Sequence, residues 1–341
     1  MEGTMLHTIT FPEMVDLVRK EFLYQNTMVK PAARQLFLYK GIGKGQGNTH
    51  RFDEVDVETY ARRKREAEKV KKASVGVGYN VTVTKKRIGI EIDITQEMRD
   101  ENRDAQVGSM ITSLGHFCPQ RIDLDGSHVF SFATASSYVD MDGDTVTTTV
   151  GDGNPLLYSA HTLKFSDNTY RNRVAGDPVF SQGALELAEQ LANTNILSNF
   201  GERRVMEFNT IVTSDDPNTV NAVKRVLMST ADVDGAHSGI TNVNRNKYRH
   251  VVLPNLATDA NGAYDSTKRK WWFLGSIGRG MNGWQAYYAE WEAPHMKPIS
   301  LDENGANHDY SADVWSFGTR AGYGYRAATG RGLIGSCPTS S

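Results

Sequence analysis

Val75-Gly76-Val77-Gly78-Tyr79-Asn80-Val81-Thr82-Val83 and Ile88-Gly89-Ile90-Glu91-Ile92-Asp93-Ile94, followed at once by Thr95-Gln96-Glu97-Met98-Arg99-Asp100-Glu101-Asn102, decide how this chain is read. Apolar residues hold the odd positions of the first run and the even positions of the second. Both runs alternate with the period of a half-buried strand. The phase changes across Thr84, Lys85, Lys86 and Arg87, so one flat strand would turn its apolar face over, and a turn, bulge or strong twist must fall there. Thr95 suits an N-cap, and Glu97, Asp100 and Glu101 place negative charge where the helix dipole favours it. Met98, Val107, Met110, Ile111, Leu114, Phe117 and Cys118 then recur at helical spacing until Pro119, which predicts a helix of about 22 residues spanning roughly 33 Å. So long a charged-tipped β arm makes a poor core of its own.

Upstream, Phe11-Pro12 opens a pattern with Met14, Leu17, Val18 and Phe22 on one face, predicting a helix over about 12–24. Lys40 to Asn48, with glycine at 41, 43, 45 and 47, reads as a flexible connector that frees the first forty residues from the rest. Between 50 and 72, Asp53, Glu54, Asp56 and Glu58 precede Arg62, Arg63, Lys64 and Arg65. Separated blocks of opposite sign suit contact between copies, although a solvated strand and loop is the blander reading.

Downstream, 122–173 is irregular and turn-rich. An amphipathic helix is expected over 183–199 and a strand over 205–213. A second helix is expected behind Asp216-Pro217, with Val220, Val223, Val226 and Leu227 on one face. Strands are expected at 248–253, 271–274, 284–292 and from Asp313 to Arg326, before a frayed tail from Pro338.

The 341 residues, 39% hydrophobic with a formal charge of −2, describe a globular chain without the overall basic excess of a nucleic-acid-coating protein. Two cysteines, Cys118 and Cys337, give neither a disulfide framework nor a CxxC zinc site, which fits a reducing compartment. The N-terminus lacks a signal-peptide pattern, and no stretch approaches the roughly 20 apolar residues of a membrane span. A soluble protein made inside the cell is expected.

Chemistry-bearing motifs fail one after another. The glycines of 41–47 fit neither GxxxxGK[ST] nor GxGxxG. Asp140-Met141-Asp142-Gly143-Asp144 opens like a calcium loop but has Thr145 at position six and Gly151 at position twelve, so a turn is expected, as at Asp123-Leu124-Asp125-Gly126. His161, His237, His250, His295 and His308 form no HExxH or HxH pair, no GxSxG surrounds a serine, and Cys118 falls on an apolar helix face. Trp271-Trp272 after Lys268-Arg269-Lys270 reads as an aromatic strand entered from a basic turn rather than a base-stacking platform. No catalytic, cofactor-binding or metal-ligating residue is assigned, and no cofactor is expected.

The order of segments resembles the major capsid proteins of tailed bacteriophages, whose Hong Kong-type fold is shared with encapsulins. Ile90-Glu91-Ile92-Asp93-Ile94-Thr95-Gln96-Glu97-Met98 is similar to the strand-to-helix junction of many such proteins. Gly153-Asn154-Pro155-Leu156-Leu157-Tyr158-Ser159-Ala160-His161 is similar to a segment of relatives of the Mu-like head subunit. The resemblance implies an α+β fold: an N-terminal arm and linker (1–48), an E-loop β hairpin (49–94), a peripheral domain with a long spine helix (95–182 and 312–341) and an axial domain (183–311). It further implies a non-enzymatic protein that assembles as pentamers and hexamers into an icosahedral head shell around double-stranded DNA, without sequence-specific binding. Scaffolding, portal and decoration proteins are implied as possible partners, no membrane is involved, and assembly is expected in the host cytoplasm. An encapsulin-like cargo compartment is the nearest alternative. A β-rich hydrolase or glycan-binding module using exposed Trp271, Trp284 and Trp291 is a more distant one. A long charged N-terminal extension of the scaffolding kind is not expected, and no cross-linking residues are identified.

Overall fold

The computed structural model describes residues 11–43, 45–58, 60–101, 103–231, 241–296, 308–309 and 314–339. The first ten residues of the expected arm, 232–240 with His237, 297–307, Asp313 and the last two residues of the tail lie outside them. In chain order the elements are α1 (Phe11–Met28), β1 (Leu38–Gly41), β2 (Thr49–Val57), β3 (Val75–Thr84), β4 (Lys86–Thr95), α2 (Gln96–Asp100) and α3 (Asp104–Ser131). Two short hairpins follow, β5 (Ser137–Val139) with β6 (Thr145–Thr147) and β7 (His161–Thr162) with β8 (Thr169–Tyr170). Next come α4 (Gln182–Thr194), β9 (Thr210–Thr213), α5 (Pro217–Met228), β10 (Arg249–Val252), β11 (Trp272–Gly275), β12 (Ala286–Met296), β13 (His308–Asp309), β14 (Val314–Ala327) and β15 (Leu333–Ser336).

The phase change at Thr84 to Arg87 is where the chain passes from one sheet to another. β3 pairs antiparallel with β2, whereas β4 pairs with β14, Arg87 opposite Gly322 and Ile94 opposite Trp315. The expected E-loop of 49–94 therefore divides at Lys85. Residues 49–84 form the hairpin, and β4 is a strand of the body, because Ile94 is fully buried among helix residues Val107, Ile111 and Leu114.

Pro119 does not end the long helix. The single helix expected from Thr95 is instead two: Thr95 Oγ1 accepts the Met98 N–H at 3.3 Å and caps only the five-residue α2, whereas α3 begins separately at Asp104 and continues through Pro119 to Ser131. An interior proline costs about 3 kcal/mol. Burial of Cys118, Ile122 and Phe130 in the main core on both sides of it offsets that cost. Asp123 to Gly126 is consequently helical, and the Asp123 carboxylate accepts from the Ala33 N–H and Asn255 Nδ2, both at 2.9 Å.

The first forty residues are not freed by the glycine-rich linker. In α1, Val18 and Phe22 pack against Val107, Ile111 and Leu114, and Ala33, Leu36 and Phe37 enter the main core. β1 pairs parallel with β12, and the linker itself is pinned. The Ile42 N–H donates to Glu290 O at 2.8 Å and Trp291 Nε1 donates to Gly47 O at 3.0 Å. Apolar side chains that would otherwise face water hold this segment down.

Two sheets share the core. The first runs β1-β12-β14 with β4 on the outer side of β14 and β13 at its end; the second runs β10-β9-β11-β15. α4 and α5 cover the second sheet, with Leu185, Ala188, Val223 and Val226 packed against Trp272 and Ile334. The sequence block 183–311 is thus not self-contained: β15, from the C-terminal block, closes its sheet by pairing with β11, because Leu333 and Ile334 are fully buried there.

Candidate functional site

The hairpin β2–β3 and its loop are the part of the chain least explained by the subunit's own core. Its sequence alternation suggests one continuous apolar face on β3, at 75, 77, 79, 81 and 83. The pairing register shows otherwise. Asp53 faces Asn80 but Val55 faces Val77, so β3 carries one extra residue at Gly78-Tyr79. This β-bulge turns the strand over. Val81 and Val83 point inward and are buried, whereas Val75 and Val77 point outward and are 68% and 51% exposed.

β2 keeps one parity, so opposite the outward valines it turns Val55 and Val57 out, at 40% and 43% exposure, and buries Glu54 and Asp56. The distal hairpin is therefore inside out for a lone subunit, acids in and valines out. Cross-strand rungs Val55–Val77 and Val57–Val75 make the outer face continuous.

Two buried carboxylates need counter-charges and donors. The Arg331 guanidinium, itself 2% exposed, donates to Glu54 Oε1 and, at 2.7 Å, to Asn199 Oδ1. Asn199 Nδ2 donates to Glu54 Oε2 at 3.0 Å, and its backbone N–H donates to Asp56 Oδ2 at 2.8 Å. Arg204 lies 3.7 Å from Asp56 Oδ1. Gly78 permits this packing: a Cβ there would lie 2.6 Å from Asn199 Nδ2 and 2.7 Å from Glu54 Oε2. Lys164 Nζ donates to Gly78 O at 2.8 Å, Tyr79 Oη and Thr162 Oγ1 are 3.1 Å apart, and the Phe52 ring stacks on Tyr287 at 3.9 Å. The hairpin is thereby tied to four distant parts of the chain, at 162–164, 199–204, 287 and 331. Beyond it, residues 60–75 are exposed throughout.

The acidic and basic blocks expected to meet another copy behave differently from one another. Glu54 and Asp56 are spent inside the chain, while the basic half, Arg62 to Arg65, stays in solvent. Neither Asn199 nor Arg331 was marked by the sequence, since their partners lie 145 and 277 residues away.

The other motif-like stretches resolve into structure. Asp140 Oδ1 accepts the N–H groups of Asp142 and Asp144, and Oδ2 accepts from Lys86 Nζ at 2.8 Å. Arg121 bridges Asp125 and Asp142, so the chain's own cations occupy the calcium-like turn. No cluster that could hold a metal occurs among the described residues. His161 is fully buried in the Mu-like segment. Its Nδ1 lies 2.8 Å from Asp152 and its Nε2 3.2 Å from Asn172 Oδ1. Burial alone would raise the Asp152 carboxyl, but hydrogen bonds from His161 and Asn154 hold it below its ordinary value.

His128 is pushed down to about 4, chiefly by burial, and the buried thiols of Cys118 and Cys337 are pushed up by the same cause. His250 is half-buried, with Nε2 2.9 Å from Thr213 Oγ1. Trp284 and Trp291 are buried rather than exposed, and Trp271 is half-buried against the main core, because these rings complete the packing around β11 and β12. Trp272 is fully buried and donates Nε1 to Pro178 O at 3.0 Å. The expectation of an exposed tryptophan platform for glycans is thus overturned. No helix among the described residues is long and apolar enough to cross a membrane.

The chain matches no family model, and no curated protein matches it in sequence. Solved structures do match. One from Gordonia phage Cozz superposes with a TM-score of 0.52 at 10% identity, covering 92% of this chain and 87% of that one. One from Mycobacterium phage Bobi gives 0.51 at 12% identity, covering 91% of each chain. A capsid structure of the cyanophage P-SCSP1u gives 0.49 at 11% identity, covering 90% of this chain and 88% of that one. The likeness to the Cozz and Bobi structures shows that the fold is shared with phage proteins over nearly the whole chain.

Proposed function

We propose that this chain is the major capsid protein of a tailed phage, a structural subunit that assembles into the icosahedral head shell around double-stranded DNA. The observation that carries the proposal is the inside-out hairpin. Its valine face, Val55, Val57, Val75 and Val77, stands in solvent on strands held from behind by buried ion pairs. A rigidly rooted arm with an uncovered apolar face is built to be covered by a neighbour. The shared phage fold and the resemblance at 90–98 and 153–161 support the same reading. Copies would gather as pentamers and hexamers, with scaffold, portal and decoration proteins as further partners and the host cytoplasm as the place of assembly. Many modest arm contacts then sum through multivalency.

Near-neutral net charge suits a wall that lies beside packed DNA without gripping it. The shell is a structural element with no catalytic role. Electron microscopy of the purified protein is the test: uniform closed particles holding nuclease-protected double-stranded DNA when made in infected cells are expected. Particles filled with an enzyme would instead select the encapsulin-like compartment. A protein that stays at single-subunit size under all assembly conditions would sink the shell reading altogether.

A further inference from the structure

The loop beyond the valine face carries the most concentrated charge in the chain. From Tyr60 to Ala73 there are seven basic side chains (Arg62, Arg63, Lys64, Arg65, Lys69, Lys71 and Lys72) against Glu66 and Glu68, a surplus of five in a chain whose total is −2. The remaining 327 residues therefore carry −7. Every residue of this loop is exposed. Its one ion pair among the described residues reaches back to the hairpin, from Arg62 to Glu58 at 3.5 Å. The acidic half of the hairpin is no partner for the rest, since Glu54 and Asp56 are buried on Arg331 and Asn199.

An acidic strip lies at the end of β4, with five acids against Arg99 between 91 and 101. Glu91 and Asp93 project from the exposed face of the strand, whose other face carries Ile92 and Ile94. Glu97, Asp100 and Glu101 follow at helical spacing, and all five acids are exposed. Asp93 accepts a hydrogen bond from Ser316 at 2.6 Å, and Glu101 is paired with Arg103. Glu91, Glu97 and Asp100 have no cationic partner among the described side chains. Within one chain, then, five positive charges in surplus and an acidic strip are both left without each other.

We infer that the basic loop 60–73 of one copy docks on the acidic strip 91–101 of a second copy. This rests on the shell reading and gives it a residue-level partner. The loop springs directly from the valine rungs Val55–Val77 and Val57–Val75, so the charged contact extends the same apolar contact surface. Complementary charge of this kind sets partner and register, and its strength falls with salt. Because each copy supplies one loop and one strip, the contact repeats around a closed shell.

A charge-reversal cycle on the full chain tests it. The loop variant is Arg63→Glu with Lys64→Glu and Arg65→Glu; the strip variant is Glu91→Lys with Glu97→Lys and Asp100→Lys, which spares Asp93 and Glu101. Particle yield is read by sedimentation and microscopy, with circular dichroism confirming that each subunit is folded. Each one-sided reversal is expected to lower particle yield on the order of tenfold, and the combined variant to restore it. Unchanged yield in the loop variant overturns the inference, as does a combined variant that stays as defective as the loop variant. A loop variant that forms normal particles lacking only DNA would also overturn it, in favour of a nucleic-acid contact. Failure of the unaltered chain to form particles is a separate result, which removes the shell reading itself.

Discussion

The two ends of the hairpin use the same two strands and bury opposite kinds of side chain. At the root, Val81 and Val83 face inward and Phe52 stacks on Tyr287, as in any half-buried sheet. Past the bulge at Gly78-Tyr79, acids go in and valines go out. The root turns its apolar side chains to the subunit's own core, whereas the distal half turns its valines to solvent. One extra residue in β3 makes the change of allegiance, and the buried Glu54–Arg331–Asn199 network holds the strand in its reversed setting.

The largest effect on the isolated subunit is expected at that network. Arg331→Met removes the counter-charge from Glu54 and leaves a buried carboxylate uncompensated, a change that costs about 3–5 kcal/mol. Chemical unfolding should show the loss, and limited proteolysis should cut within 49–84 before the body of the chain. A cost under about 1 kcal/mol would mean that the network does not hold the hairpin, and the contrast between its two ends would lose its cause.

Gly78→Ala probes the bulge itself with a smaller change. Its methyl would fall within 2.7 Å of both Asn199 Nδ2 and Glu54 Oε2, which are hydrogen-bonded to each other on side chains whose Oδ1 and Oε1 accept from Arg331. Overpacking of this kind costs about 1–3 kcal/mol. The loss should shrink when Glu54 is first replaced by Ala, because one of the two obstructing atoms is then gone. Equal losses in both backgrounds would place the strain elsewhere.

Much of the fold was legible because local rules agreed with it. The switch of phase at Thr84 to Arg87 marked a real change of sheet. Asp216 caps its helix by accepting from the Thr219 N–H at 3.0 Å, with Pro217 at the first position as its residue type favours. Pro119 misled because propensity is local and the burial of Ile122 and Phe130 is not. The linker misled for the same reason: four glycines say nothing about Trp291 reaching Gly47.

The bulge was harder still. Odd positions stay apolar from Val75 to Val83, so the alternation looks unbroken although the face reverses midway. The one local signal was a pair of glycines, Gly76 and Gly78, inside a strand pattern, where glycine often marks a bulge or a close approach. The key partners of the distal half carried no signal, since no spacing rule connects Glu54 with Arg331.

The smallest effect on subunit stability should accompany the greatest effect on assembly, and that dissociation separates the two ends of the hairpin most sharply. Val55→Lys with Val77→Glu sets opposite charges across one rung, avoiding the like-charge repulsion that two acids would bring. Both valines are already 40–51% exposed, so little apolar burial is lost on substitution and the isolated subunit should keep its stability within about 0.5 kcal/mol. If a neighbouring copy covers this face, the same pair buries two charges in an apolar contact and particles should fail to form. The readouts are thermal unfolding of the subunit and sedimentation of the assembly reaction. A variant that unfolds early would show that the valines serve their own chain after all. One that is stable and still assembles would show that the face is left bare in the particle, and the covering role would then have to pass to the charged loop alone.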